Sequence, residues 1–198
     1  MTTSAPHNLD LVIDFVNTRD LEEGTDALSK PQDLAEWLAK RRLGTARTLV
    51  LDEGDHRRAL ELREALRSIM LANNGGPRAP QAGRVLERAA RKGELGIHFA
   101  DDGSASLAPR AGGFAGALAR LLIPAADALG DGSWQRVKAC RAADCHWAFY
   151  DRSRNRSGVW CEMAVCGNRT KVRAYRERVP ARQGGRVAAV RPGAAGGS

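Results

Sequence analysis

The four cysteines of this 198-residue chain fall at Cys140, Cys145, Cys161 and Cys166, a C-x4-C-x15-C-x4-C arrangement confined to 27 residues. Two close pairs with a spacer of about fifteen residues suit a structural four-thiolate zinc site, because each pair closes a tight loop on the ion and the spacer returns the chain between them. The loops are longer than the usual two residues. Two disulfides would demand an oxidising compartment, yet Met1 to Asp10 has neither a basic start nor the apolar stretch of an export signal. Four unrelated buried cysteines would not cluster so tightly. One structural Zn2+ per chain is therefore the expected cofactor, and a redox-sensing version of the site fits the same spacing.

Charge gathers at the same end of the chain. From Trp134 to Ser198 there are 14 Lys and Arg against 4 Asp and Glu, a net of +10, while the first 133 residues carry 17 against 19, a net of −2. The total of +8 thus averages a near-neutral body and a cationic end, an asymmetry that points to a polyanion-binding module. No run approaches the roughly 18 apolar residues of a membrane span, and a soluble, cytoplasmic protein with no membrane partner is expected.

The body, residues 1–133, reads as mostly helical. Asp33 to Leu43 places Leu34, Trp37 and Leu38 on one face after start signals at Ser29 and Pro31. Asp55 to Ala72 is the clearest helix, its Arg and Glu residues reading as a solvated face, and Asn73 to Pro77 stops it. Gln81 to Lys92 forms a third, weaker helix. Leu95, Ile97 and Phe99 alternate before Asp101-Asp102-Gly103, a hairpin signature. Phe114 to Leu129 is an almost wholly apolar helix, expected at the centre of the core and kinked or divided at Pro124. Leu9 to Thr18 fits both alternation and helical spacing. Within it, Asp14 and Asn17 interrupt an apolar run, and burying them without partners would be costly. They are hydrogen-bonders of a turn or cap or, with Trp37, lining of a ligand pocket, although Trp37 also reads as plain core.

Residues 134–179 read as a small module of a β-hairpin and a basic helix. Trp134 to Cys140 and His146 to Asp151 are expected strands around the first cysteine loop, with Arg152, Arg154 and Arg156 exposed at a hairpin tip. Trp147, Phe149, Tyr150 and Trp160 are expected to form its small core. After Cys166 the pattern turns helical, with Val172, Tyr175 and Val179 on a stripe expected to pack inward beside a cationic stripe of Arg169, Arg173 and Arg176. The helix N-terminus and a four-thiolate zinc cluster attract each other. The tail, 180–198, is rich in Gly, Ala, Pro and Arg and is expected to be disordered and basic. The chain is mainly α with small β-hairpins, an α+β class.

The run Cys161-x-Met163-x-x-Cys166-Gly167-Asn168-Arg169, then Lys171, preceded by Phe149-x-Asp151-Arg152-Ser153-Arg154-Asn155, resembles the CGNR zinc finger. Ile13-Asp14-Phe15-Val16-Asn17-Thr18 and Leu34-x-x-Trp37-Leu38 resemble the ABATE domain that precedes that finger. The resemblance implies a stress-induced transcriptional regulator of bacteria whose zinc-bound finger contacts DNA. Duplex DNA is accordingly the expected partner, through Arg152, Arg154, Arg156, Arg169, Lys171, Arg173 and Arg176, with the N-terminal domain sensing a small ligand or forming a homodimer. An RNA-binding or ribosome-associated zinc protein is the alternative. No metalloprotease, phosphate-loop, nucleophile-elbow or dinucleotide motif is present, and four thiolates leave zinc no open position for water, so no enzymatic activity is expected.

Overall fold

The computed structural model describes residues 5–45 and 47–178; Val179 and the expected tail, 180–198, lie outside them. The ambiguous opening segment is a helix, α1 (Leu9–Val16), with Leu9, Val12, Phe15 and Val16 all buried. A short antiparallel pair, β1 (Arg19–Asp20) and β2 (Thr25–Asp26), follows it without any strand signal in the sequence. Helix α2 (Pro31–Lys40) starts on a proline, and the Asp33 carboxylate accepts from the Ser29 hydroxyl and the Lys30 amide. Helix α3 (Glu53–Asn73) opens with reciprocal hydrogen bonds between Asp52 and Asp55, which satisfy amides the first turn would leave free.

Helix α4 (Pro80–Lys92) packs on α3 with only Ala82 fully buried. Strands β3 (Leu95–Phe99) and β4 (Ala105–Pro109) form the expected hairpin, with Phe99 opposite Ala105. Helix α5 (Gly113–Gly130) runs unbroken through Pro124. Its length and apolarity match those of a membrane span, contrary to the reading that no segment does, but half of it is buried against the other helices as core.

One apolar core joins α1, α2, α3 and α5, and it does not stop at the end of the helical body. Trp134, Val137, Ala139 and Ala148 belong to it. The last three lie on β5 (Val137–Ala139) and β6 (Ala148–Tyr150), paired with Val137 opposite Tyr150 and Ala139 opposite Ala148. The strands are joined through residues 140–147, which carry the first cysteine pair. Residues 152–158 therefore follow β6 at the far end of the hairpin from the cysteines and are not its tip, as the sequence suggested. A five-residue π-helical turn, Met163–Gly167, then leads into α6 (Asn168–Arg178).

Two expectations for this module are corrected. Val172 and Tyr175 do not pack inward: they are 48% and 63% exposed, because α6 packs extensively, among the described elements, only on the turn that precedes it. Nor do the four aromatics form a core, since Trp147 is exposed and Phe149, Tyr150 and Trp160 are half-buried. Around the metal site the buried cluster consists of Cys140, Cys145, Cys166 and Ala142, with the half-buried Cys161 and Trp160 beside them.

Candidate metal centre and the surface around it

The four sulfurs of Cys140, Cys145, Cys161 and Cys166 all lie within 4.8 Å of one another. Cys161 Sγ stands 3.6 Å from both Cys145 Sγ and Cys166 Sγ, and all four cysteines are free. Disulfide sulfurs would be bonded at about 2.0 Å, whereas tetrahedral zinc with bonds of about 2.3 Å requires neighbouring sulfurs about 3.8 Å apart. The cluster fits one zinc ion closely. Burial pushes the Cys145 thiol up to about 12 and Cys161 higher still, with neighbouring cysteine charge adding to the effect, so these groups ionise only when a cation compensates them. Zinc supplies that charge and cross-links the two cysteine loops.

Arg169 supports the same chemistry from outside. Its guanidinium reaches Cys166 Sγ at 3.5 Å, pairs with Glu22 in the β1–β2 loop, and approaches Asp144 in the first cysteine loop at 3.6 Å. Its Nε is buried without an acceptor among the described residues, a position that negative charge on the adjacent sulfur would favour. The hydrogen bonds that Arg169 donates to Glu22 raise its pKa, with Asp144, Glu22 and Cys166 charge assisting.

Residues 136–179 match the CGNR zinc finger, and residues 9–132 match ABATE, described as a Putative stress-induced transcription regulator. The chain belongs to the ABATE family. No curated protein matches it. Within this ABATE protein each residue of the Cys-Gly-Asn-Arg string has a visible task. Cys166 supplies a sulfur. A Cβ at Gly167 would lie 3.1 Å from Trp160 Cδ1 and closer still to Met163 Sδ, so the turn closes tightly only without one. Asn168 Nδ2 donates to the Ala164 carbonyl, and Arg169 ties α6 to the body.

The remaining sequence-selected cations fall into two groups. Arg152, Arg154 and Arg156 are exposed on the 152–158 loop, whose backbone is held from beneath. Arg136 donates to the Asp151 and Ser153 carbonyls, while Lys138 Nζ donates to the Arg156 and Gly158 carbonyls and to the buried Asp151 carboxylate at 2.7 Å. Burial alone would raise the Asp151 carboxyl, but bonds from Lys138, Ser153 and Gly158 outweigh it and hold the group at about 2. Lys171, Arg173 and Arg176 are exposed on α6, Arg173 lying 3.3 Å from Asp144.

Asp14, Asn17 and Trp37 do line one open groove, together with Arg41 and the finger residues Trp147 and Ala148. Their side chains are already engaged. Asn17 donates to the Ala148 carbonyl and accepts from its amide, extending the edge of β6 as a backbone would, and Arg41 stacks 3.9 Å over Trp37 while pairing with Asp14.

Sequence reading missed the buried polar residues that tie the body together and dock the finger on it. Arg63 and Arg67, taken for a solvated face of α3, are 1% and 3% exposed. Arg63 grips Asp26 through both terminal nitrogens; Arg67 donates to the Val16, Arg19 and His146 carbonyls and pairs with Glu64. Asn73 donates to the Trp134 and Val137 carbonyls and Asn74 to those of Ala139 and Val159, so the helix-stopping pair also holds β5. Only their arginine or asparagine identity at core-facing helical positions could have signalled this.

Proposed function

We propose that this ABATE protein is a DNA-binding transcription regulator, its zinc finger contacting the duplex and its helical body sensing a ligand or pairing with a second copy. The observation that carries the reading is α6 itself. It leaves the metal centre with Lys171, Arg173 and Arg176 exposed, and with Val172 and Tyr175 uncovered too, a surface no packed structural helix would present. The cations of the 152–158 loop, on a backbone fixed by Arg136 and Lys138, add a second group of forked phosphate contacts. Arg169 is a positioning residue for α6, since its guanidinium is committed to Glu22, Asp144 and Cys166. Both family descriptions are of a regulator and a zinc finger, and neither is enzymatic.

Selection of bound fragments from genomic DNA, with structured and single-stranded RNA in competition, tests the proposal directly. Enrichment of discrete duplex sites is expected. Preferential recovery of RNA would instead favour stacking on the exposed Tyr175 and Trp147 and replace this reading with an RNA-binding one.

A further inference from the structure

A second cavity lies away from the finger, where α3, α4 and α5 meet. Its volume is about 310 Å3, within the roughly 300–1,000 Å3 of small-molecule sites. Leu62, Val85, Ala89, Phe114 and Leu118 line its interior, and charged side chains stand at its mouth. Arg58 pairs with Asp55 at 2.5 Å and Arg88 with Glu61 at 2.6 Å, leaving both acids compensated. Lys92, the third cation, pairs with no acidic group among the described residues. An apolar, aromatic-containing interior beneath one uncompensated cation complements an amphipathic anion.

The walls also suit a site whose occupancy is felt elsewhere. Helix α4, with Ala82 as its one fully buried residue, is held to α3 across the mouth by the exposed Arg88–Glu61 pair. Its C-terminal end is pinned: a Cβ at Gly93 would lie 2.2 Å from Ala119 Cβ and 2.8 Å from the Ala115 carbonyl of α5. The opposite wall is the first half of α3, and the same helix with its C-terminal cap carries Arg67, Asn73 and Asn74, which hold the finger.

We propose that this cavity is a binding site for a small organic anion with an apolar body, an aromatic or medium-chain carboxylic acid, whose carboxylate meets Lys92 and whose body lies against Phe114 and Leu118. The proposal gives the ligand-sensing half of the function above a location and a ligand class, and rests on it for regulatory meaning only.

The test uses the full zinc-loaded chain and two fluorescent probes: 1-anilinonaphthalene-8-sulfonate, an aromatic anion, and N-phenyl-1-naphthylamine, the same rings without the charge. One anionic probe should bind per chain and be displaced by octanoate. Lys92→Glu, an exposed change compatible with folding, should weaken the anion roughly fivefold and leave the neutral probe unchanged. Ala89→Phe, which fills the cavity, should remove both, whereas Asp14→Ala and Arg41→Ala in the other groove should affect neither. Anion affinity unaltered by Lys92→Glu and Ala89→Phe, or lost in the groove variants instead, overturns the proposal. Finally, DNA affinity is measured with and without octanoate. Binding at the cavity with no change in DNA affinity would remove the sensing role and leave the site standing.

Discussion

The two halves of the finger are stabilised in different ways. Strands β5 and β6 donate Val137, Ala139 and Ala148 to the core of the helical body, and side chains from α1 and α3 satisfy their backbone. The cysteine loops and α6 have a buried cluster of three cysteines and one alanine, with the half-buried Cys161 and Trp160 beside it. So small a cluster cannot offset the chain entropy of ordering these loops, and metal binding must supply the difference. The family boundary between residues 132 and 136 therefore differs from the physical one, which lies inside the finger, where hydrophobic stabilisation gives way to metal ligation.

The sharpest way to break this comparison is to remove the metal. Chelation, or Cys161→Ser, should release one zinc per chain and cost the cysteine loops and α6 their order, since structural zinc contributes about 10 kcal/mol or more to comparable units. Amide exchange should show α3 and the β5–β6 pair still protected. Equal loss of protection in β5 and α6 would mean the finger is a single unit after all.

Breaking the other half requires the docking groups. Arg67→Met leaves the Val16 and His146 carbonyls without their donor and should lower the stability of the whole chain by about 3–5 kcal/mol, read as a drop in unfolding midpoint with zinc still bound. Asp151→Asn should act similarly, because it strands the buried Lys138 ammonium. The Asp151 carboxyl sits at about 2, below its ordinary value near 3.9, so its stabilisation is present above about pH 4 and fades between about pH 4 and 2. An unchanged acid limb in Asp151→Asn would show the pair contributes nothing. Asn74→Ala should cost less, about 1–3 kcal/mol, as one buried and one half-buried carbonyl lose a neutral donor.

The smallest effects on stability should come from α6. Alanine at Lys171, Arg173 or Arg176 should change stability by less than about 0.5 kcal/mol. Each change that removes a phosphate contact should flatten the logarithmic salt dependence of duplex binding by about 0.9. Arg169→Gln should do the reverse, loosening α6 in amide exchange through its lost contacts to Glu22 and Asp144. A salt slope that falls for Arg169→Gln and stays fixed for the other three would reverse the roles assigned to them.

Much of this was legible in residue order because the governing interactions are local. Cysteine spacing located the metal centre, since two tight loops are set by a few residues each. Helical periodicity located α2 to α5, and the turn at residues 101–103 located the hairpin. Charge segregation picked out the finger. Two things failed: the β1–β2 pair, too short for any pattern, and the inward packing of Val172 and Tyr175, which needed a partner surface that no described element extends beneath α6. Arg67 and Asn74 look like ordinary surface or turn residues, and Asn17 could be read as a hydrogen-bonder but not assigned a partner; only the fold brings to the three backbone carbonyls from 65 to 131 positions away. The sequence by itself determined that a zinc-bound cationic module follows a helical body. Tertiary structure alone decided that the two share a core, because burial and hydrogen-bond partnership depend on which distant backbone a side chain meets.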